Sequence, residues 1–299
     1  MLNPWCALCS AKESGTIESL FIREPHAKDL KLLELTSARA TCLSLVTAVG
    51  VFVPAEAGTR VQDHEAGNPP AIHYRIERVA DMRQDINKEF TAAQLAVLEK
   101  LNRADIAHLR RLPQLVVPDV WVDELQYSPF PPVYPGAACL PKLLLVDVPA
   151  QAFAAYEEGR LVRWGPVSSG REAHPTPTGL FRLNWRTLGR HSTVNPQWYM
   201  DWYFNFHNAR GLALHHYALP GYPASHACVR LLERDAIWMY DWGKGWTLGA
   251  RGEIVQPGTP LIINGQYAFG APPPWRSLEH LGIKTPEPPV PLCVHTGSR

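Results

Sequence analysis

Between Lys142 and Asn264 the chain is built from short apolar runs separated by turn residues, a pattern that constrains this region to a β-rich fold. Leu143 to Val148 is a short apolar run of strand length. Ala152 to Tyr156 and Leu161 to Val167 flank Glu157-Glu158-Gly159-Arg160, which reads as a hairpin turn. Thr178 to Asn184, Gly211 to His215 and Leu261 to Asn264 supply further strands. Asp235 to Trp242 is the one helical stretch of the region, with Asp235 near its start as an N-terminal signal. The 28 Pro and 10 Trp suit a short-stranded, loop-rich fold with an aromatic-lined groove better than a helical bundle. The expectation is a mainly β, sandwich-like domain with one flanking helix.

The remaining segments divide by pattern. Residues 1–57 read as a leader. Ala40 to Pro54 is an apolar run of 15 residues, preceded by Lys28, Lys31 and Arg39 and followed by Ala55-Glu56-Ala57, an A-x-A pattern before Gly58. It falls short of the roughly 20 residues that span a bilayer, so cleavage near Ala57/Gly58 is the better reading and a signal anchor the alternative. That implies export to the periplasm or cell envelope, with only transient membrane contact. Residues 58–84 are polar and read as a linker, with a turn at Gly67-Asn68-Pro69-Pro70. Within 85–118, Leu95, Leu98 and Leu101, then Ile106, Leu109 and Leu112, have helical spacing broken at Asn102-Arg103-Ala104-Asp105. A short strand, Leu115-Val116-Val117-Pro118, follows. This small helical module looks like a degenerate LysM unit; a helical hairpin packed on the next domain is the other reading. Residues 119–141 form a Pro-rich connector, 142–266 the β-rich domain and 267–299 a Pro-rich tail.

Net charge is +1 with no basic run, so nothing suggests nucleic acid or an acidic membrane surface as partner. Cys6-x-x-Cys9 lacks a second pair and carries little weight as a metal or redox site. With the leader removed, Cys139, Cys228 and Cys293 remain. Export favours disulfides, so a Cys139–Cys293 pair is open, leaving Cys228 as an odd thiol and a flag for reactivity.

The chemistry concentrates between His215 and Leu231. His215-His216-Tyr217 precedes a loop of nine residues, counted from His216, that ends at Ser225-His226-Ala227-Cys228-Val229-Arg230-Leu231. A thiol with a free pKa of about 8.5 becomes a strong nucleophile when a neighbouring imidazole takes its proton. Nucleophile, candidate base and candidate anion anchor thus share one short stretch. The alternatives are a buried core thiol for Cys228 and oriented structural histidines. His207, His215, His216, His226 and Cys228 have ligand types that suit zinc, but their spacing matches no standard zinc pattern.

This segment resembles the signature of the YkuD-type L,D-transpeptidase catalytic domain. Leu214-His215 and Ser225-His226-Ala227-Cys228-Val229-Arg230 match it. Pro166-Val167-Ser168-Ser169-Gly170 and Thr176-Pro177-Thr178-Gly179-Leu180-Phe181 look like two upstream family strands, and Pro257-Gly258-Thr259-Pro260-Leu261-Ile262-Ile263 like the closing one. The resemblance implies a cysteine acyltransferase without a cofactor. Cys228 would be the nucleophile, His215 the general base, His226 a support, Ser225 an orienting residue and the Ala227 backbone an oxyanion donor. Arg230, His216 and Tyr217 would face substrate, although His216 stands where the family commonly has a small residue. Arg230 would pair with a substrate carboxylate or, alternatively, hold the loop by a salt bridge. The implied donor is a peptidoglycan tetrapeptide stem, and the implied partners are stem peptides and glycan. The family's usual glycine before the cysteine is Ala227 here, which bears on oxyanion geometry and keeps a weakened wall-binding protein as a rival reading.

Overall fold

The computed structural model describes residues 71–78 and 86–285. The expected export signal, Cys6-x-x-Cys9 and the chain beyond Thr285 lie outside the described residues.

An N-terminal module runs strand, helices, strand. Strand β1 (Tyr74–Arg78) pairs antiparallel with β2 (Gln114–Pro118). Between them come the single turn α1 (Ile86–Glu89), the helix α2 (Ala92–Asn102) and the single turn α3 (Ile106–Leu109). A capping box starts α2: the Thr91 hydroxyl accepts from the Gln94 N–H and the Gln94 carboxamide accepts from the Thr91 N–H. The helix stops at Arg103, whose left-handed φ of 57° turns the chain. Asp105 then caps α3 by accepting from the His108 N–H at 2.9 Å. Buried Asn102 ties helix to strand, with bonds of 2.8–3.0 Å to both backbone groups of Val116. Helix α2 and the turn α3 fall within residues 85–118, and Tyr74–Arg78, within 58–84, form β1. Three of its five residues are exposed, so pairing with β2 defines this strand and apolar periodicity does not.

The nine-stranded sheet has the order β6-β13-β3-β4-β5-β10-β9-β8-β7. These strands are β3 (Leu143–Asp147), β4 (Ala152–Glu157), β5 (Arg160–Ser168), β6 (Gly179–Arg182), β7 (Arg186–His191), β8 (Tyr199–His207), β9 (Leu212–His216), β10 (Val229–Leu231) and β13 (Pro260–Asn264). The helix α4 (Glu233–Trp242) follows β10 directly; β11 (Thr247–Leu248) and β12 (Ile254–Gln256) make a separate ribbon. The domain is mainly β with one flanking helix, as expected.

Both faces of the central strands are buried, which explains their continuous apolar runs. Leu144, Val146, Phe153, Ala155 and Ile263 enter an inner core with Met239 of α4 and with Phe204 and Leu214 from the far side of the sheet. Such a core requires the sheet to curl, and that gives the sandwich-like character. Leu143, Leu145, Ala154, Tyr156 and Trp164 enter an outer core with Val97 and Leu101 of α2 and with Tyr127, Phe130 and Tyr134. The connector 119–141 is therefore part of the core. Residues of the tail up to Thr285 also pack, with Trp275 buried. Cys139 is disulfide-bonded and Cys228 is free.

Candidate active site

Two parallel strands place the reacting groups. β10 lies beside β9 with Val229 opposite Leu214 and Arg230 opposite His215. Leu212, Leu214, Val229 and Leu231 fill the inner core. Strand alternation then turns Ala213, His215 and Arg230, and Cys228 at the strand's entrance, to the other face. There His215, Cys228 and Arg230 line one cavity together with Tyr217, Ser225 and His226.

His215 is 4% exposed, and its Nδ1 lies 2.9 Å from the carbonyl oxygen of His216. A carbonyl only accepts, so Nδ1 carries the proton and Nε2 keeps its lone pair. Burial lowers the pKa to about 4, with the Arg230 charge adding to the fall and the carbonyl bond opposing it. Burial also pushes the Cys228 thiol above its ordinary value, against an Ala213 backbone hydrogen bond and the charges of Arg230 and Arg190. The resting pair is a neutral imidazole and a thiol.

The chain just before the thiol is pinned from two sides. The Ser225 hydroxyl donates to the Cys228 carbonyl, and the Thr176 hydroxyl donates to the same oxygen at 3.5 Å. Ser225 N–H donates to the Ser169 carbonyl at 3.0 Å, and the Gly170 N–H donates to Thr176 Oγ1 at 2.8 Å. A Cβ on Gly170 would meet the His174 carbonyl at 2.1 Å, so only glycine permits this approach. The Pro166–Gly170 and Thr176–Phe181 segments thus converge on the Cys228 turn.

Residues 141–263 match the family model of the YkuD L,D-transpeptidase catalytic domain. Over this stretch the chain is similar to L,D-transpeptidase catalytic domains. Among solved structures, an L,D-transpeptidase from Mycobacterium smegmatis is 20% identical, covering 42% of this chain and 59% of its own, with a TM-score of 0.34. One from Stackebrandtia nassauensis is 21% identical, covering 43% and 58%, with a TM-score of 0.35. One from Mycobacterium tuberculosis H37Rv is 22% identical, covering 42% and 58%, with a TM-score of 0.33. The chain spans less than two thirds of the length of these structures. No curated protein matches the sequence.

Within this stretch the two motif histidines differ in setting. His226 is half-buried on the cavity rim, stacked on His174 at 4.4 Å and tilted against Trp198 at 4.9 Å. Desolvation lowers its pKa, with Arg171 and His174 adding to the shift. Its ring is part of an aromatic shelf, whereas His215 is oriented by a backbone carbonyl. Ala227 has φ of +74° and is 3% exposed. The Cβ therefore sits in the left-handed region that glycine adopts freely.

Arg230 forms no carboxylate pair among the described residues; it lies over the Tyr217 ring at 4.7 Å and donates to the Ala218 carbonyl at 3.3 Å. His216 does not reach this cavity. One residue on from His215, it points to the opposite side, with Nδ1 3.7 Å from Asp201 Oδ2 in a separate groove. Only its carbonyl serves the site. Among the described residues no three His, Cys, Asp or Glu side chains group as a metal site.

Several residues that the sequence reading did not single out complete the cavity. The β7–β8 hairpin, with Arg190 opposite Met200, brings Arg190, Trp198, Met200 and Tyr203 to its wall, and the turn after β8 adds Arg210. The aromatic run Tyr199 to Phe206 was the available signal for this strand. A bulge hides its alternation: Trp202 has φ of +54° and the register shifts between Asp201 and Phe204. From the N-terminal module, Asp105 grips the 217–224 loop. Its N–H donates to the Leu219 carbonyl at 3.0 Å, and its Oδ2 accepts from the Leu219 N–H at 2.8 Å.

Proposed function

We propose that the protein is a cysteine-dependent peptidoglycan L,D-transpeptidase that works in the cell envelope. The observation that carries this reading is the His215 Nδ1–His216 carbonyl bond, which leaves Nε2 as a base in the cavity that Cys228 lines. Nε2 takes the Sγ proton and the thiolate attacks a stem-peptide carbonyl. The N–H groups at Ala227 and Cys228, turned by the left-handed residue, receive the oxyanion. Collapse expels the terminal D-alanine amine, which takes the imidazolium proton and leaves a thioester on Cys228. An acceptor amine then attacks, gives its proton to His215 and releases the thiol, forming a crosslink between third residues or attaching a protein.

The Arg230 guanidinium, which forms no carboxylate pair among the described residues, and the aromatic shelf of His226 and Trp198 support a peptide donor with a carboxylate. The β1–α2–α3–β2 module supports a LysM-like role in glycan binding. The A-x-A pattern at Ala55-Glu56-Ala57 supports export. Purified protein incubated with disaccharide-tetrapeptide tests the reading. Crosslinked muropeptides and free D-alanine are expected, and unchanged substrate would contradict it. A second reading, a catalytically weakened wall binder, draws on the φ of +74° at Ala227. Binding to wall material without acylation of Cys228 would favour it.

A further inference from the structure

Three arginines line the cavity around Cys228, the half-buried Arg190 and Arg230 and the exposed Arg210, and no Asp or Glu lines it. None of the three forms a salt bridge with a carboxylate among the described residues. That is unusual in a chain whose formal net charge is only +1, because clustered like charges without counterions repel one another. The three cations occupy two separate supports. Arg230 lies on the Tyr217 ring at 4.7 Å, on the loop after β9. Arg190 lies on the Tyr203 ring at 5.1 Å and near the Trp185 ring at 5.5 Å. Tyr203 in turn donates its hydroxyl to the Gly211 carbonyl at 2.9 Å, which anchors the turn carrying Arg210. Arg190 and Arg210 therefore share the β7–β8 wall, and Arg230 stands on the β9–β10 wall.

We propose that Arg190 and Arg210 form a second anion anchor, so that the preferred acyl donor is a dicarboxylate held by one carboxylate on each wall. Stacking on an aromatic face fixes a guanidinium plane while leaving its N–H edge free for a bidentate carboxylate. A donor with a single carboxylate would leave one wall's cations uncompensated, a penalty that converts charge count into selectivity. The inference rests on the proposed transpeptidase reading for its substrate, a tetrapeptide stem whose terminus supplies one of the two carboxylates. Arg190 and Arg210 are specificity-determining residues in this account.

Binding to the Cys228→Ser protein, which holds a donor without turning it over, tests the proposal by calorimetry. The probes are a tetrapeptide with both carboxylates free and two others, each with one of the carboxylates amidated. The dicarboxylate should bind at least about tenfold more tightly than either amide. In the Arg190→Gln/Arg210→Gln variant, one of the amides should bind as the dicarboxylate does; in Arg230→Gln, the other amide should. Arg190→Lys should keep most of the preference for charge. Equal binding of all three probes to the parent, or equal loss for all three in the double variant, would overturn the proposal. Acylation of the unaltered protein separates the two ideas. Acylation with no carboxylate preference sinks only the second anchor, and the expected preference without acylation sinks only the transpeptidase reading.

Discussion

The nine-stranded sheet and the β1–α–α–β2 module are fused through one core, yet they contribute to the cavity in different ways. The sheet carries His215 on β9 and sets Cys228 just before β10, so register and alternation turn both toward one cavity. The module supplies no group to the cavity lining. It supplies a brace: Asp105 bonds both backbone groups of Leu219, at a separation of 114 residues in the chain. Glu99 and Arg234 pair between α2 and α4 and fix the same docking. The proposed reacting groups are placed by strand pairing, and the 217–224 loop is placed by a tertiary contact from a remote element.

The largest expected effect falls on the sheet. His215→Gln should lower acylation of Cys228 by roughly 10²–10⁴-fold, the usual worth of a general base. In the unaltered protein, the rate should hold steady as pH falls from 7 and drop by half at about pH 4, where Nε2 becomes protonated. That limb should vanish in the variant. The same depressed pKa links to stability: the unfolded imidazole binds a proton near its free value of about 6.5 and the folded one near 4. The contribution is present above the higher value and is lost as pH falls toward the lower. A melting-temperature titration should show this, and show less of it for His215→Gln.

A change in the module sharpens the comparison. Asp105→Ala removes the acceptor for the Leu219 N–H and should reduce kcat by up to about 10²-fold through misplacement of the 217–224 loop. Asp105→Asn keeps an oxygen acceptor and should recover most of that loss. Equal activity for both variants and the parent would mean that the loop holds itself and the brace is dispensable.

The smallest effect is at Ala227. Glycine relieves a left-handed backbone strain of about 1–2 kcal/mol. It forfeits a buried methyl worth about 0.8 kcal/mol and adds chain entropy of about 0.5–1 kcal/mol. Ala227→Gly should therefore change stability by less than about 1 kcal/mol while preserving or raising the acylation rate. A large fall in rate would mean that the methyl itself packs against substrate.

How far the sequence reveals this molecule follows the same division. β3, β4, β5, β9 and β13 are legible because apolar runs and turn residues mark them, and Cys228 and His215 because motif residues sit on paired strands. His216 is misleading at the level of sequence: adjacency in the chain puts it beside His215, and strand alternation sends it the other way. β8 is obscured by its bulge at Trp202, and with it the wall that carries Arg190 and Trp198. β1 has too little apolar pattern to stand out alone. The Asp105–Leu219 contact has no local signature, since each residue is ordinary in its own segment.

The central claim is that the Cys228 thiol, served by His215, takes up the acyl group. The most direct measurement is the intact mass of the protein after brief exposure to a tetrapeptide donor, followed by peptide mapping. The account predicts an adduct of the donor less one D-alanine on the peptide containing Cys228, and no adduct in Cys228→Ser. A mass gain that survives Cys228→Ser, or D-alanine release without any Cys228 adduct in rapidly quenched samples, would contradict it.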